Sequence, residues 1–477
     1  MNTLKRTLAL LSVLALASAS FVGCGDDKKS SSGSTSTTSA TSADSNKETS
    51  GESKKEEAKI TLPDTGDKLT VVTWTVNDIE PQFELFCKAK GYEKDKDIAY
   101  ALVGSSGTEA MNGYETYFLG DGDCDVYAAE AGWILQFINN DKFAAPLSDV
   151  GITKDDFANA YGYTVAIGTN KDGVLKGASY QAAPGGYAYR ADLAEEYLGV
   201  KSPKEMQKKV DTWDNFVASA KTVLEKSGDK KTAIAATMHD IWHVYQSNRT
   251  KAWVDKDGKL DLENCENYLT MIKDMYDKGY VTKQGQWDKS WYALGNDGST
   301  MGYFFSTWCL TNSETGQLMQ AEGGTSGAAY GKYNICQGPT KYFWGGTWYV
   351  VSPECDNGTK ANEFIKYFTV EEEGMKAYVE KTGDFTNNKK VMKDIIDAKS
   401  NKNPLFKDGQ DQFAVLTDIA DGINLDGIIT EYDQNCKDAF NEAVTEYVVD
   451  GKTKSVADAI ESFKDKLVAK DDSIKVD

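Results

Sequence analysis

Between residues 68 and 128 the chain alternates short β-branched runs with amphipathic ones, and this alternation narrows the fold more than any other feature. Residues 68–74 (KLTVVTW) are rich in Val and Thr and end in a polar turn, which predicts a strand. Residues 80–90 predict a helix with Phe83 and Phe86 on one face. A second strand is expected over 97–103, a second helix over 107–118 and a third short strand over 125–128. Strands and helices at this spacing imply βαβ units and a largely parallel sheet. Ligands of such sheets sit beyond the carboxyl ends of the strands, which singles out Trp74, Asn77, Asp78, Ala129 and Glu130.

The N-terminus points to export. Lys5 and Arg6 precede an uncharged apolar run over 8–22. That run is too short for a comfortable permanent membrane helix and reads as a signal peptide over 1–23. It closes on Phe21-Val22-Gly23-Cys24, which resembles a bacterial lipobox, with Phe21 where Leu is usual. Such a signal implies acylation of Cys24 and anchoring on the extracytoplasmic face of the cell membrane. The rival is ordinary cleavage after Ala17 or Ser20, which leaves Cys24 a plain thiol. Residues 25–58 hold almost nothing apolar and cannot offset their ordering entropy. Residues 24–66 are expected to form a tether that holds a domain roughly 30 Å from the membrane.

The roughly 415 residues that follow exceed one compact core, so two lobes are expected. A net charge of −20, more negative still once Lys5 and Arg6 are removed, argues against nucleic acid and against a polybasic membrane patch. Seven cysteines follow Cys24, an odd number, and no two form Cys-x-x-Cys, so zinc-ribbon and redox-motif readings fail. Asn170–Gly173 and Asp255–Gly258 each place Asp-Gly between strand-like flanks and predict hairpins. The second resembles a calcium loop, but its glycine comes too early and the twelfth position lacks Glu. Thr212 is expected to cap a helix, with Trp213 a packing residue, and 456–468 is amphipathic.

The two histidines, His239 and His243, are spaced like those of a zinc-protease helix, but Asp240 stands where Glu is needed and no third ligand is evident. Nucleophile-elbow, phosphate-loop and dinucleotide fingerprints are absent from the sequence. No metal and no cofactor is expected. What the chain has is aromatic: ten tryptophans and twenty-five tyrosines. Sugars present C–H faces that stack on indoles and hydroxyls that bond carboxylates and amides, so a sugar cleft needs aromatics beside Asp, Glu, Asn and Arg.

Several segments, in order from about residue 69 to the C-terminus, carry a family resemblance. They are Asp125-Val-Tyr-Ala-Ala-Glu130 with Trp133; Pro146-Leu-Ser-Asp149; Lys176 to Pro184 followed by Tyr189-Arg-Ala-Asp-Leu193; Thr212-Trp-Asp-Asn-Phe216; Gly302 to Trp308; Phe343-Trp-Gly-Gly-Thr347; and Glu363 to Phe368. Together they resemble the extracellular solute-binding proteins of carbohydrate-uptake ABC transporters, the group that includes maltose-binding proteins. The resemblance implies an α/β, two-lobed periplasmic-binding-protein-like fold, each lobe a mostly parallel sheet flanked by helices. It implies three hinge crossovers near Pro184, Pro339 and Thr382, giving one lobe from 67–184 and 340–382 and another from 185–339 and 383–477. It implies a sugar or oligosaccharide held between the lobes by Trp74, Asp78, Glu130, Trp242, Trp308, Trp344 and Tyr432. The partners implied are the permease's transmembrane subunits, with the protein a monomer and not an enzyme. An anchored glycoside-acting enzyme, and a sensor or binding protein for a non-sugar solute, stay open as alternatives, since a glycosidase needs only two carboxylates.

Overall fold

The computed structural model describes residues 59–476 apart from 105, 106, 120, 121, 400 and 426. The expected signal peptide, Cys24 and most of the expected tether lie outside the described residues. Where the tether was expected to run to residue 66, the chain is already pinned. Thr61 N donates to Asp149 O at 2.8 Å, and Thr65 N and Gly66 N donate to Asp356 O at 2.8 and 2.9 Å.

Among the described residues nine strands form two sheets. The first sheet contains β1 (Leu69–Thr73), β2 (Ile98–Leu102), β3 (Val126–Glu130) and β4 (Gly177–Ser179). The second contains β5 (Pro184–Arg190), β6 (Gly302–Ser306), β7 (Tyr333–Cys336) and β8 (Tyr342–Phe343), after which β9 (Thr347–Val351) returns to the first. The first sheet has the order β2-β1-β3-β9-β4. The register of β1 with β2 sets Leu69 beside Ile98 and Thr73 beside Leu102. All of β1 is buried, as befits a parallel strand covered on both faces. One cover is the helix Val76–Lys90, whose Phe83 and Phe86 meet Phe364 edge-on at 5.8 and 5.3 Å.

The two-lobed mixed α/β fold is as expected, but the strand directions are not uniformly parallel. β1, β2 and β3 are parallel, whereas β9 runs antiparallel to both β3 and β4. Every strand pairing in the second sheet is antiparallel, with β5 flanked by β6 and β7 and capped by β8. The partners of β5 start far along the chain, at Gly302 and Tyr333, so their direction is set by long connections that local periodicity does not report.

The chain passes between the sheets first through 180–183, where Ala183 takes a positive φ of 49°. The second passage lies later than Pro339. β8 still pairs with β5, with Pro184 opposite Phe343, so the chain leaves the second sheet through 344–346. Contacts to the first lobe also outlast Thr382: Asn387 Nδ2 donates to Ser179 O at 3.1 Å, and Lys389 N donates to Asn159 O at 2.8 Å. The third passage therefore falls between Lys389 and Phe406, which bridges Tyr333. One apolar cluster belongs to each lobe, and another joins Trp133 and Trp348 of the first to Trp291 and Phe305 of the second.

The expected local features are present. Thr212 Oγ1 accepts from Asn215 N at 3.1 Å, Trp213 packs on Phe216, and both Asp-Gly turns place glycine at positive φ, 81° at Gly173 and 78° at Gly258.

Candidate functional site

The site is built on the helix Met238–Tyr245 of the second lobe. Thr237 and Asp240 form a capping box that fixes its start. The buried Asp240 carboxylate accepts from Thr237 N (3.1 Å), Gln286 Nε2 (2.8 Å) and Trp291 Nε1 (3.2 Å). Burial nevertheless pushes it up to about 8. His243, one turn on, lies flat against Trp344 with ring centroids 3.9 Å apart. Burial, then nearby Lys437 and His239, hold its imidazole well below the usual histidine range, so it is neutral at pH 7.

Trp344 occupies the second passage between the lobes. Its N–H donates to Ala183 O at 3.0 Å, and its carbonyl accepts from Trp308 Nε1 at 3.0 Å. Gly345 and Gly346 follow at φ 74° and 96°, a conformation that favours glycine. A Cβ at Gly345 would also lie 3.1 Å from Trp308 Nε1.

These elements border a cavity of about 90 Å³, partly open to solvent. The first lobe supplies Glu130–Gly132; the second supplies His243, Gln246 and Arg249. Phe343 and the passage residues Trp344 and Gly345 line it too, and the rest comes from Asn424, Leu425, Ile428, Ile429, Asp433 and Lys437. Arg249 Nη2 donates to Asp433 Oδ2 at 2.8 Å, with both side chains about nine-tenths buried. The guanidinium also sits 5.2 Å over the Trp253 ring. Its Nη1 is buried without a hydrogen-bond partner among the described residues. Glu130 Oε2 accepts from Gly132 N at 2.8 Å. Burial raises the Glu130 pKa, opposed by the Lys437 ammonium. Indole and aliphatic faces thus meet two carboxylates and two cations in a confined space.

Of the seven residues expected at the site, Glu130 and Trp344 line this cavity. Trp308 stands behind it and steadies the Trp344 carbonyl. Trp74 packs edge-on against Trp133 at 5.8 Å. Asp78 accepts from Tyr180 Oη at 3.3 Å, away from the cavity lining. Trp242 is a core residue: only 2% exposed, it packs on Phe440 at 4.5 Å and Tyr268 at 4.7 Å. Tyr432 leans on the second lobe's core, and its neighbour Asp433 faces the cavity instead. Sequence reasoning missed His243, Arg249, Asp433 and Lys437. One signal was available: only three of the 53 basic residues are arginines. In a lysine-rich chain such a residue marks a site that needs a planar, fixed cation.

Among the described residues no group of three or more His, Cys, Asp or Glu could hold a metal ion.

Residues 89–408 match the family model of the bacterial extracellular solute-binding proteins. The chain belongs to this family. Like other solute-binding proteins it is a binding protein rather than an enzyme. It is 23% identical over 287 residues to the arabinooligosaccharide-binding protein of Halalkalibacterium halodurans, an alignment that takes in 54% of this chain and 59% of that one. Among solved structures, an extracellular solute-binding protein family 1 member superposes with a TM-score of 0.72 at 18% identity, covering 84% of this chain and all of the other. The galacto-N-biose/lacto-N-biose I-binding protein of the ABC transporter from Bifidobacterium longum, solved with lacto-N-biose, gives 0.66 at 16% identity, covering 87% of this solute-binding protein and all of that chain. The ABC transporter associated binding protein from B. animalis subsp. lactis, solved with β-1,6-galactobiose, gives 0.65 at 16% identity over 86% and 99%.

Proposed function

We propose that the protein captures an oligosaccharide in the cavity between its lobes and delivers it to the membrane subunits of an ABC importer, held at the cell surface through acylated Cys24. One observation carries the reading: Trp344 lies on the passage between the lobes and lines the cavity with Glu130 from one lobe and Arg249 from the other. An indole face suits the C–H patches of a pyranose or furanose ring. The carboxylate accepts from sugar hydroxyls, and the guanidinium and ammonium donate to sugar oxygens. The names of the relatives above, all sugar binders where a ligand is given, support the same ligand class. The lipobox-like run ending at Cys24 supports the anchor. The two lobes then bend toward each other, favoured only by contacts the ligand makes in the closed form.

A thermal-shift screen of mono- and oligosaccharides, including arabino-, galacto- and malto-oligosaccharides, tests it. A true ligand at 100 times its dissociation constant should add about 2.7 kcal/mol of stability. No shift with any sugar would overturn the reading, and steady release of a cleaved product would replace it with an enzyme.

A further inference from the structure

Trp287 combines three features that rarely coincide. It is a large aromatic that is 43% exposed. Its backbone sits at φ 73°, the left-handed region that a bulky residue occupies only when its surroundings force it there. And it belongs to a cluster of indoles at the cavity's edge: its ring stacks on Trp308 at 6.0 Å and 24°, and lies 5.5 Å from Trp344 and 5.2 Å from Trp291.

Its neighbours explain how it is held. Gln286, just before it, is tied to the buried Asp240 by a 2.8 Å hydrogen bond. Asp288, just after it, starts the helix Lys289–Asp297 and accepts from Trp291 N at 2.9 Å. Both flanks are fixed, so the indole is presented rather than left to wander, and the strained backbone fixes its direction. Nothing in packing requires this: Trp291 beneath it already fills the core and is fully buried.

The other indoles cannot offer a comparable free surface. Trp344 has one face covered by His243 at 3.9 Å. Trp308 faces Trp287 itself and spends its N–H on the Trp344 carbonyl. Trp287 is not part of the cavity lining, yet it touches Trp344, which is. It therefore extends the aromatic wall outward from the cavity.

We propose that Trp287 is a specificity-determining residue that stacks on a further ring of a sugar chain whose first ring lies against Trp344. This rests on the sugar-binding reading above. It makes the preferred ligand at least a disaccharide and makes affinity depend on chain length. The stack needs only an exposed π face and a C–H face of the sugar, so it tolerates several linkages.

The test compares wild type, Trp287→Gly and Trp287→Phe by calorimetric titration with arabinose, arabinobiose and arabinotriose, with galactose and β-1,6-galactobiose, and with glucose, maltose and maltotriose. Glycine accepts the positive φ without strain, so Trp287→Gly leaves the fold intact, checked by its unliganded melting temperature. In the series that wild type binds, Trp287→Gly should weaken the di- or trisaccharide about ten-fold or more. It should leave the monosaccharide within about two-fold. Trp287→Phe should recover most of the loss. Equal loss at every length, no loss at any length, or a wild type indifferent to length would overturn the proposal. A wild type that binds none of these sugars overturns the sugar reading and this proposal together; a wild type that binds them through an unaffected Trp287 variant overturns this proposal alone.

Discussion

His243 covers one face of Trp344, with ring centroids 3.9 Å apart and planes inclined by 20°. The stack leaves Trp344 a single face for a ligand and keeps a neutral imidazole against it. For the sugar found by the thermal-shift screen, Trp344→Ala should weaken binding about ten- to a hundred-fold, as for a central aromatic anchor. Calorimetry measures this, and the unliganded denaturant midpoint should move little. An intact affinity would remove Trp344 from the site.

Trp242 should behave in the opposite way. Packed between Phe440, Tyr268 and Trp253, its change to Ala should cost about 3–5 kcal/mol of folding stability. The folded fraction should keep its affinity. Urea titration followed by binding on the same sample checks both.

Arg249 and Asp433 form a buried pair, so removing one partner strands the other. Arg249→Ala or Asp433→Ala alone should each cost about 3–5 kcal/mol. The double change should cost less than the two single costs combined, and a double-mutant cycle in urea reads the coupling. Additive costs would mean that the two groups act independently.

Asp78 gives a pH signature. Burial first, then the Asp384 carboxylate, push its pKa up to about 7, while the Tyr180 hydroxyl opposes them. The folded state thus holds a proton that the unfolded state releases near the ordinary Asp value. Its contribution to stability is present below about pH 4 and is lost as pH rises through about 7. Asp78→Asn should flatten that decline, gaining most over wild type above pH 7. Melting temperatures from pH 4 to 8 would show it, and parallel curves would refute it.

Cys24→Ala should release the protein from the membrane fraction without altering its melting temperature. Mass spectrometry of the mature N-terminus decides the matter: an unacylated start at residue 18 or 21 would dismiss the anchor.

The part of the fold visible in the sequence is the part specified locally. β1, β2 and β3 follow from their own Val, Thr and Ala patterns, and the Thr212 cap from a side chain three residues from its donor. Strand direction in the second sheet depends on partners remote in sequence and left no local trace. Trp242 was misread for a physical reason. The resemblance placed it in the cleft, yet Asp240 is buried through three hydrogen bonds and His243 through its stack, so a run with polar residues forms a core helix. Tyr432 was one position away from Asp433, the residue that reaches the cavity, and no pattern separates neighbours at a helix start.

In the proposed function, the passage formed by Trp344, Gly345 and Gly346 is at once the ligand's bed and one of the joints on which the lobes turn. The two tasks cannot be tuned separately there. A substitution that reshapes what the indole accepts also changes how freely the two glycines swing, so ligand choice and opening rate are inherited as one trait.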